Sequence, residues 1–331
     1  TVNCPSWIRL SLKLDGELLD LNKVKVNSYR KELNMKDGVL RRTFECELIN
    51  GKKIKVESER FISLKIQEVG MLRYTITSLN SDCDITIKSF IDENVVNVDS
   101  NWNEQFLKTE KIIQNNNSTF IKSKVLKTDF EIYSFSKTRI LSEKNELSFN
   151  SKNDTSHNLN YKLGSNKKLT IEKIGGYVSN FSTNEDLLKK SSELINKCSE
   201  IGYKDLLQSQ IELWDDIWKK SDVIITGDVK AQQGIRFNIF QLNQTYMGQN
   251  PNLNVGPKGF TGEKYGGGTY WDTEAYCFPF YLSTKKSDVA KNLLIYRFNQ
   301  LEKAILNAEK LGLNHGAALY PMVTVNGEEC H

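Results

Sequence analysis

Leu187-Leu188-Lys189-Lys190-Ser191-Ser192-Glu193-Leu194-Ile195-Asn196-Lys197-Cys198 is the stretch at which the hydrophobic period of this chain changes. Leu187, Leu188, Leu194, Ile195 and Cys198 recur at helical spacing, and Thr183 with Asp186 resembles a capping box at the helix start. A second helical face follows in Leu207, Ile211, Trp214 and Trp218, spaced four, three and four apart. The pair of helices reads as a connector, and its tryptophans as packing anchors. Residues 8 to about 178 upstream read as β. Alternating or β-branched runs occur at Ile8–Leu14, Val39–Leu48, Lys53–Phe61, Leu72–Leu79, Asp84–Phe90, Phe120–Val125, Phe130–Ser136 and Leu169–Ile174. Lys36-Asp37-Gly38 and Asn50-Gly51 supply the positive φ values that tight hairpins need. Many short strands at hairpin spacing predict an antiparallel β-sandwich. The polar run Asn115-Asn116-Asn117-Ser118-Thr119 reads as a surface loop.

Downstream the pattern stays helical. Val223-Ile224-Ile225 reads as a short extended piece, and Asp228 caps a helix whose buried side is Ile235, Ile239, Leu242 and Phe240. Residues Gly256 to Gly268 form a loop. Trp271 to Leu282 fits helix or strand, with Pro279 blurring the choice. Ser287 to Leu311 reads as one amphipathic helix with Leu294, Leu301, Ile305 and Ala308 on one side, ended by Gly312. The expected organisation is therefore β then α. It comprises a sandwich at 1–180, a helical linker at 181–225 and a helical domain from 226 to 331.

Forty-five basic and 41 acidic residues leave a net charge of only +4, too balanced to imply nucleic acid. Three histidines and six cysteines without a Cys-x-x-Cys pair supply a zinc site poorly, so no metal is expected. The cysteines read as free buried thiols in a reducing cytoplasm. No apolar run approaches a membrane span and no signal peptide stands at the N-terminus, so neither a membrane nor secretion is expected.

The candidate chemistry lies in Gly256-Pro257-Lys258-Gly259-Phe260-Thr261-Gly262-Glu263-Lys264-Tyr265-Gly266-Gly267-Gly268-Thr269-Tyr270-Trp271-Asp272-Thr273-Glu274. Glycines let the backbone approach a ligand closely. Trp271 offers a flat apolar face beside the acceptor Asp272, and a pyranose needs both because one face is C–H and its rim is hydroxyl. Glu274 completes the best candidate group, and Lys258, Glu263 and Tyr265 offer further polar contacts. The alternative places Trp271 in a core and Asp272 at a helix cap. The glycine triplet is not a phosphate loop, since no Gly-Lys-Ser/Thr follows. Asp272 and Glu274 stand too close in sequence to flank one glycosidic bond from opposite sides. Glu328, Glu329 and His331 have no metal-ligand spacing, and Thr324 and Asn326 near Gly327 read as a turn. His315 reads as a surface residue, and Arg236 as the partner of a carboxylate within the helical part.

Gly256 to Gly266 leading to Tyr270-Trp271-Asp272-Thr273-Glu274 resembles the signature of glycoside hydrolase family 65. Gly316-Ala317-Ala318-Leu319-Tyr320-Pro321-Met322-Val323-Thr324 with Gly327-Glu328-Glu329-Cys330-His331 resembles the branch acting on maltose, and Glu32 to Gly38 with Arg41-Arg42 is also family-like. The resemblance covers essentially the whole chain. It implies a large β-sandwich (a super-sandwich), a helical linker and the first helices of an (α/α)6 barrel. It further implies inverting phosphorolysis of an α-glucosyl disaccharide, with inorganic phosphate as co-substrate, no cofactor, and a cytoplasmic homodimer. Trp271 and Asp272 would hold the glucosyl ring. No catalytic residue is then expected in this chain, because the family's general-acid glutamate would lie C-terminal to His331. A start at Thr1 and a stop at His331 fit an internal fragment, inactive alone. Trehalose, kojibiose and nigerose are alternative substrates, hydrolysis within the same family is another outcome, and a non-catalytic carbohydrate-binding sandwich is the alternative of another class.

Overall fold

The structure, a computed structural model, describes the chain except residues 1–2, 98–104, 127, 144, 150, 154, 249, 258, 260–267, 325 and 331, and the side chains of 151–153. The chain divides into two compact units, one of residues 4–95 and 105–215, the other of 1–3, 96–104 and 216–331.

In the first unit the strands are β1 (Leu10–Leu14), β2 (Glu17–Leu18), β3 (Lys25–Asn34), β4 (Val39–Glu47), β5 (Lys53–Ile62), β6 (Val69–Ser78), β7 (Cys83–Phe90), β8 (Leu107–Gln114), β9 (Ser118–Val125), β10 (Glu131–Ser142), β11 (Asn145–Leu147), β12 (Ser151–Asn153), β13 (Ser156–Leu163) and β14 (Lys168–Ser179). All pair antiparallel. The small sheet runs β12-β13-β7-β1-β2, and the large one β3-β4-β5-β6-β14-β10-β9-β8 with β11 beside β10. The expected hairpins turn at Gly38 and Gly51, both at positive φ. Ser118 and Thr119 are buried in β9 rather than lying in a surface loop, so only the tip of the Asn115 run is a turn.

Alternation sorts the large sheet's side chains. Phe44, Cys46, Ile54, Val56, Tyr74, Ile76 and Ile171 face the small sheet and meet Leu12, Leu14, Ile85, Ile87 and Leu159 in a closed core. The opposite, outer face buries Val39, Phe61, Met71, Phe135, Ile174 and Val178 under Leu187, Leu194, Ile195, Cys198 and Leu206 of the helix that follows. Across that outer face, register partners run Glu32, Arg41, Glu59, Arg73, Glu172 and Arg139, alternating in sign over six strands. Arg41 Nε donates to Glu59 at 2.7 Å, and Arg73 Nη2 to Glu172 at 2.5 Å. Tyr203 from the helix lies under the Arg73 guanidinium and donates to Glu59 at 2.6 Å. Burial and that glutamate together raise the Tyr203 pKa.

The helix α1 (Leu187–Ser221) is interrupted at Gly202, at φ 80 and ψ 164, so it is the expected pair of helices joined end to end. Asp186 rather than Thr183 caps it: its Oδ1 accepts from Lys189 N at 2.7 Å, while Thr183 Oγ1 accepts from Glu185 N. Trp214 is buried as a packing anchor and lies against the β3–β4 turn. A Cβ on Gly38 would stand 1.9 Å from Trp214 Nε1, and φ there is +68. Gly38→Ala is therefore expected to cost about 1–3 kcal/mol by overpacking and left-handed strain, read as a lower midpoint in urea unfolding.

In the second unit, α2 (Val229–Thr245) is capped by Asp228, which accepts from Ala231 N at 2.9 Å. Ile239 and Phe240 are buried, while Ile235 and Leu242 are half-buried. Residues 223–225 form no strand; Gln232 holds the segment by accepting from Ile225 N and donating to Val223 O. Arg236 makes a two-pronged pair with Asp222 at 2.8 and 2.7 Å. A strand β15 (Thr269–Tyr270) leads into a π-helical turn at Thr273–Cys277 and α3 (Phe278–Thr284), with Pro279 in its first turn. The single helix expected over 287–311 is two, α4 (Ser287–Phe298) and α5 (Leu301–Lys310). The break at Asn299-Gln300 resets the phase, so Leu293 is buried and Leu294 exposed. A short strand β16 (Val323–Thr324) is the last element among the described residues.

Candidate sugar-binding site

Two sequence phrases some fifty residues apart meet here. β15 pairs antiparallel with β16, Thr269 opposite Thr324 and Tyr270 opposite Val323. Thr269 Oγ1 donates to Thr324 O at 3.0 Å, and Thr324 Oγ1 accepts from Gly327 N at 2.6 Å, which makes the expected turn. Glu328 N donates to Asn326 Oδ1, and Glu329 Oε2 accepts from Met322 N. Those two glutamates therefore build the turn, with Glu328 also paired to Lys303 at 3.3 Å. Among the described residues no cluster of His, Cys, Asp and Glu is placed to hold a metal.

The chain leaves β15 straight into Trp271. Its indole Nε1 donates to Pro321 O at 3.1 Å, and half of the side chain stays exposed. Asp272 is exposed and makes no hydrogen bond or ion pair with the described residues. Neither is in a closed core, and Asp272 makes no capping bond to the turn that follows. That turn is fixed from beneath: Thr273 is buried and donates to Val255 O at 2.5 Å. π-helical turns of this kind often occur at functional sites.

Glu274 points elsewhere. Arg297 Nε donates to Glu274 Oε1 at 2.9 Å and Arg297 Nη2 to Oε2 at 3.1 Å, while Asn254 Nδ2 adds a third bond at 3.1 Å. Three of its roughly four acceptor sites are thus taken by the protein, and its visible work is to hold the turn that presents Trp271 and Asp272. Cys277 is kept protonated by burial and by the carboxylates of Asp272 and Glu274, which disfavours it as a nucleophile. Lys258, Glu263 and Tyr265 lie outside the described residues, as does His331. His315 is exposed at φ 63 in the loop after α5. A cavity over β3–β6 and another beside β8 belong to the sandwich and border neither Trp271 nor Asp272.

Three participants were not legible in the sequence. Arg297 in the last turn of α4 reads as a helix-dipole partner. Asn254 carries no signal at all, and the acceptor for Trp271 is a backbone carbonyl. The six cysteines are free, with Cys46, Cys83 and Cys198 buried, Cys4 and Cys277 half-buried and Cys330 exposed, a departure from uniform burial. Among the described residues, no helix is long and apolar enough to cross a membrane.

Residues 1–217 match the glycosyl hydrolase family 65 N-terminal domain, and residues 236–331 match the family's central catalytic domain. The whole chain is 40% identical to maltose phosphorylase of Bacillus subtilis (strain 168), covering 44% of that protein. Over 97% of the chain it is 33% identical to alpha,alpha-trehalose phosphorylase of Thermoanaerobacter brockii, covering 42% of it. A solved structure described as a kojibiose phosphorylase of the human microbiome superposes on all of the chain with a TM-score of 0.87 at 29% identity, covering 43% of that structure. The chain thus spans less than half the length of the curated relatives it matches. The order of sandwich, connecting helices and first helices of an (α/α)6 barrel agrees with these matches. With both of its parts matched by the models of one family, the chain belongs to glycosyl hydrolase family 65.

Proposed function

We propose that this chain supplies the glucosyl-binding wall of an inverting disaccharide phosphorylase. Maltose and phosphate giving β-glucose 1-phosphate and glucose is the reaction that the 40% identity to a maltose phosphorylase favours. The observation that carries the reading is a half-exposed indole pinned by its N–H beside a carboxylate with no partner among the described residues. The indole face suits the C–H side of a pyranose, and Asp272 accepts from its hydroxyls with charge-assisted hydrogen bonds. Phosphate oxygen attacks the anomeric carbon as the glycosidic C–O bond breaks, and a carboxylic acid outside this chain protonates the departing oxygen. Phosphate is then the nucleophile, so no protein base is required. No cofactor enters. The reading extends to a homodimer acting in the cytoplasm.

Asp272→Ala in the full-length protein is expected to lower kcat/KM for maltose phosphorolysis about 10- to 100-fold, the loss of about 1.5–3 kcal/mol that a hydrogen bond to a charged group supplies. The release of glucose 1-phosphate measures it. An unchanged value would remove Asp272 from the sugar site. The same assay on trehalose, kojibiose and nigerose identifies the linkage: a higher kcat/KM on any of them than on maltose transfers the assignment to that sugar.

A further inference from the structure

The register that builds the sign-alternating row on the outer face of the large sheet leaves the inner face uncompensated. One residue along each strand, Lys31 of β3 stands directly opposite Arg42 of β4, and Arg42 opposite Ser58 of β5. Arg60 follows two residues after Ser58 and so lies diagonal to Arg42 on the same face. Directly opposed side chains have Cβ atoms about 5 Å apart, and like charges so placed are destabilising. Among the described residues, Lys31, Arg42 and Arg60 make no ion pair. Arg42 Nε is buried and makes no hydrogen bond.

These cations face a cavity. It has a volume of about 540 Å³ and lies where β1 and β2 of the small sheet stand over β3–β6, and no carboxylate lines it. Leu18 and Tyr29 border it and are about half exposed. Ligand pockets are typically about 300–1,000 Å³. We propose that this cleft binds a small organic phosphomonoester, its phosphate held by Arg42, Arg60 and Lys31 and its body lying against Leu18 and Tyr29. A phosphomonoester carries a charge of about −1.5 to −2 at neutral pH, which matches three cations better than a carboxylate does. Guanidinium forks suit phosphate oxygens geometrically. The apolar rim and the volume exceed what a bare phosphate ion would fill. The site lies in the sandwich and does not depend on the sugar-site reading.

Titration calorimetry on the full-length protein with phenyl phosphate tests the proposal, with phenol and inorganic phosphate as comparison ligands. One phenyl phosphate per chain is expected, with no binding of phenol and at least roughly tenfold weaker binding of inorganic phosphate. Arg42→Gln and Arg60→Gln should each weaken binding about tenfold or more, the loss of one charge-assisted hydrogen bond. Lys31→Met should weaken it less, and Asp272→Ala should leave it unchanged. Without ligand, Arg60→Gln and Lys31→Met should melt at or above the wild-type temperature, because repulsion is relieved. Since both positions are exposed, they keep the test open if Arg42→Gln fails to fold. Unchanged binding in Arg60→Gln and Lys31→Met overturns the site. Loss in Asp272→Ala alone moves the ligand to the sugar site. Inorganic phosphate binding as tightly as phenyl phosphate reduces the cleft to an ion site. Dissociation of a dimer by Arg60→Gln in sedimentation would show that a second copy fills the cleft instead.

Discussion

Arg297→Met is expected to destabilise the helical unit by about 3 kcal/mol or more and to abolish sugar-dependent activity with it. Arg297 is nearly buried, and both its Nε and its Nη2 are committed to Glu274. Removing it leaves a largely buried carboxylate with Asn254 as its remaining hydrogen-bond donor. An uncompensated charge of this kind is far more costly than the pair itself is stabilising. The double variant Arg297→Met with Glu274→Leu should therefore recover most of the lost stability. Activity should recover less, since the turn beneath Trp271 loses the bonds that orient it. Denaturant unfolding of the two variants, set against glucose 1-phosphate release, separates these effects. A single variant within about 1 kcal/mol of wild type would show that Thr273 and Asn254 hold the turn without the ion pair.

Gly176→Ala should cost a similar amount in the sandwich. A Cβ at Gly176 would stand 1.8 Å from the carbonyl oxygen of Glu68 and 3.1 Å from Phe135 Cζ. The obstacle is backbone, so no side-chain rotation relieves it. Glu68 O also accepts from Tyr177 N at 3.0 Å, so moving it away disrupts the β6–β14 junction next to Val69. Overpacking of this severity is expected to cost about 3 kcal/mol or more, lowering the melting temperature by several degrees. A melting temperature within a degree of wild type would mean that the two strands separate more freely than their register implies.

The strands read correctly from sequence are those with one face in a core. In β5, Ile54 and Val56 alternate with Lys55 and Glu57, and the pattern is plain. β3 and β8 carry no such signal because they are sheet edges. Lys25–Asn34 is exposed along nearly its whole length, and charged edges are how sheets avoid pairing with strangers. β13 carries no such signal because Ser156 and His157 are buried polar residues that hydrophobic alternation does not mark. Sequence hides the break between α4 and α5 because apolar residues flank it on both sides; the non-helical dihedrals of Gln300 mark it. In the candidate site, Trp271 and Asp272 were legible by residue type. Glu274 also reads as a sugar ligand until Arg297 is seen beside it, and that contact spans 23 residues. No local pattern encodes it.

The bond from Trp271 to the Pro321 carbonyl and the pairing of β15 with β16 have a consequence for how the protein is made. The ribosome delivers Trp271 about fifty residues before its acceptor. At roughly 5–20 residues per second, that leaves the indole unanchored for several seconds of elongation. The wall that carries Trp271 is therefore a late acquisition of the nascent polypeptide, completed only when Thr324 has left the exit tunnel.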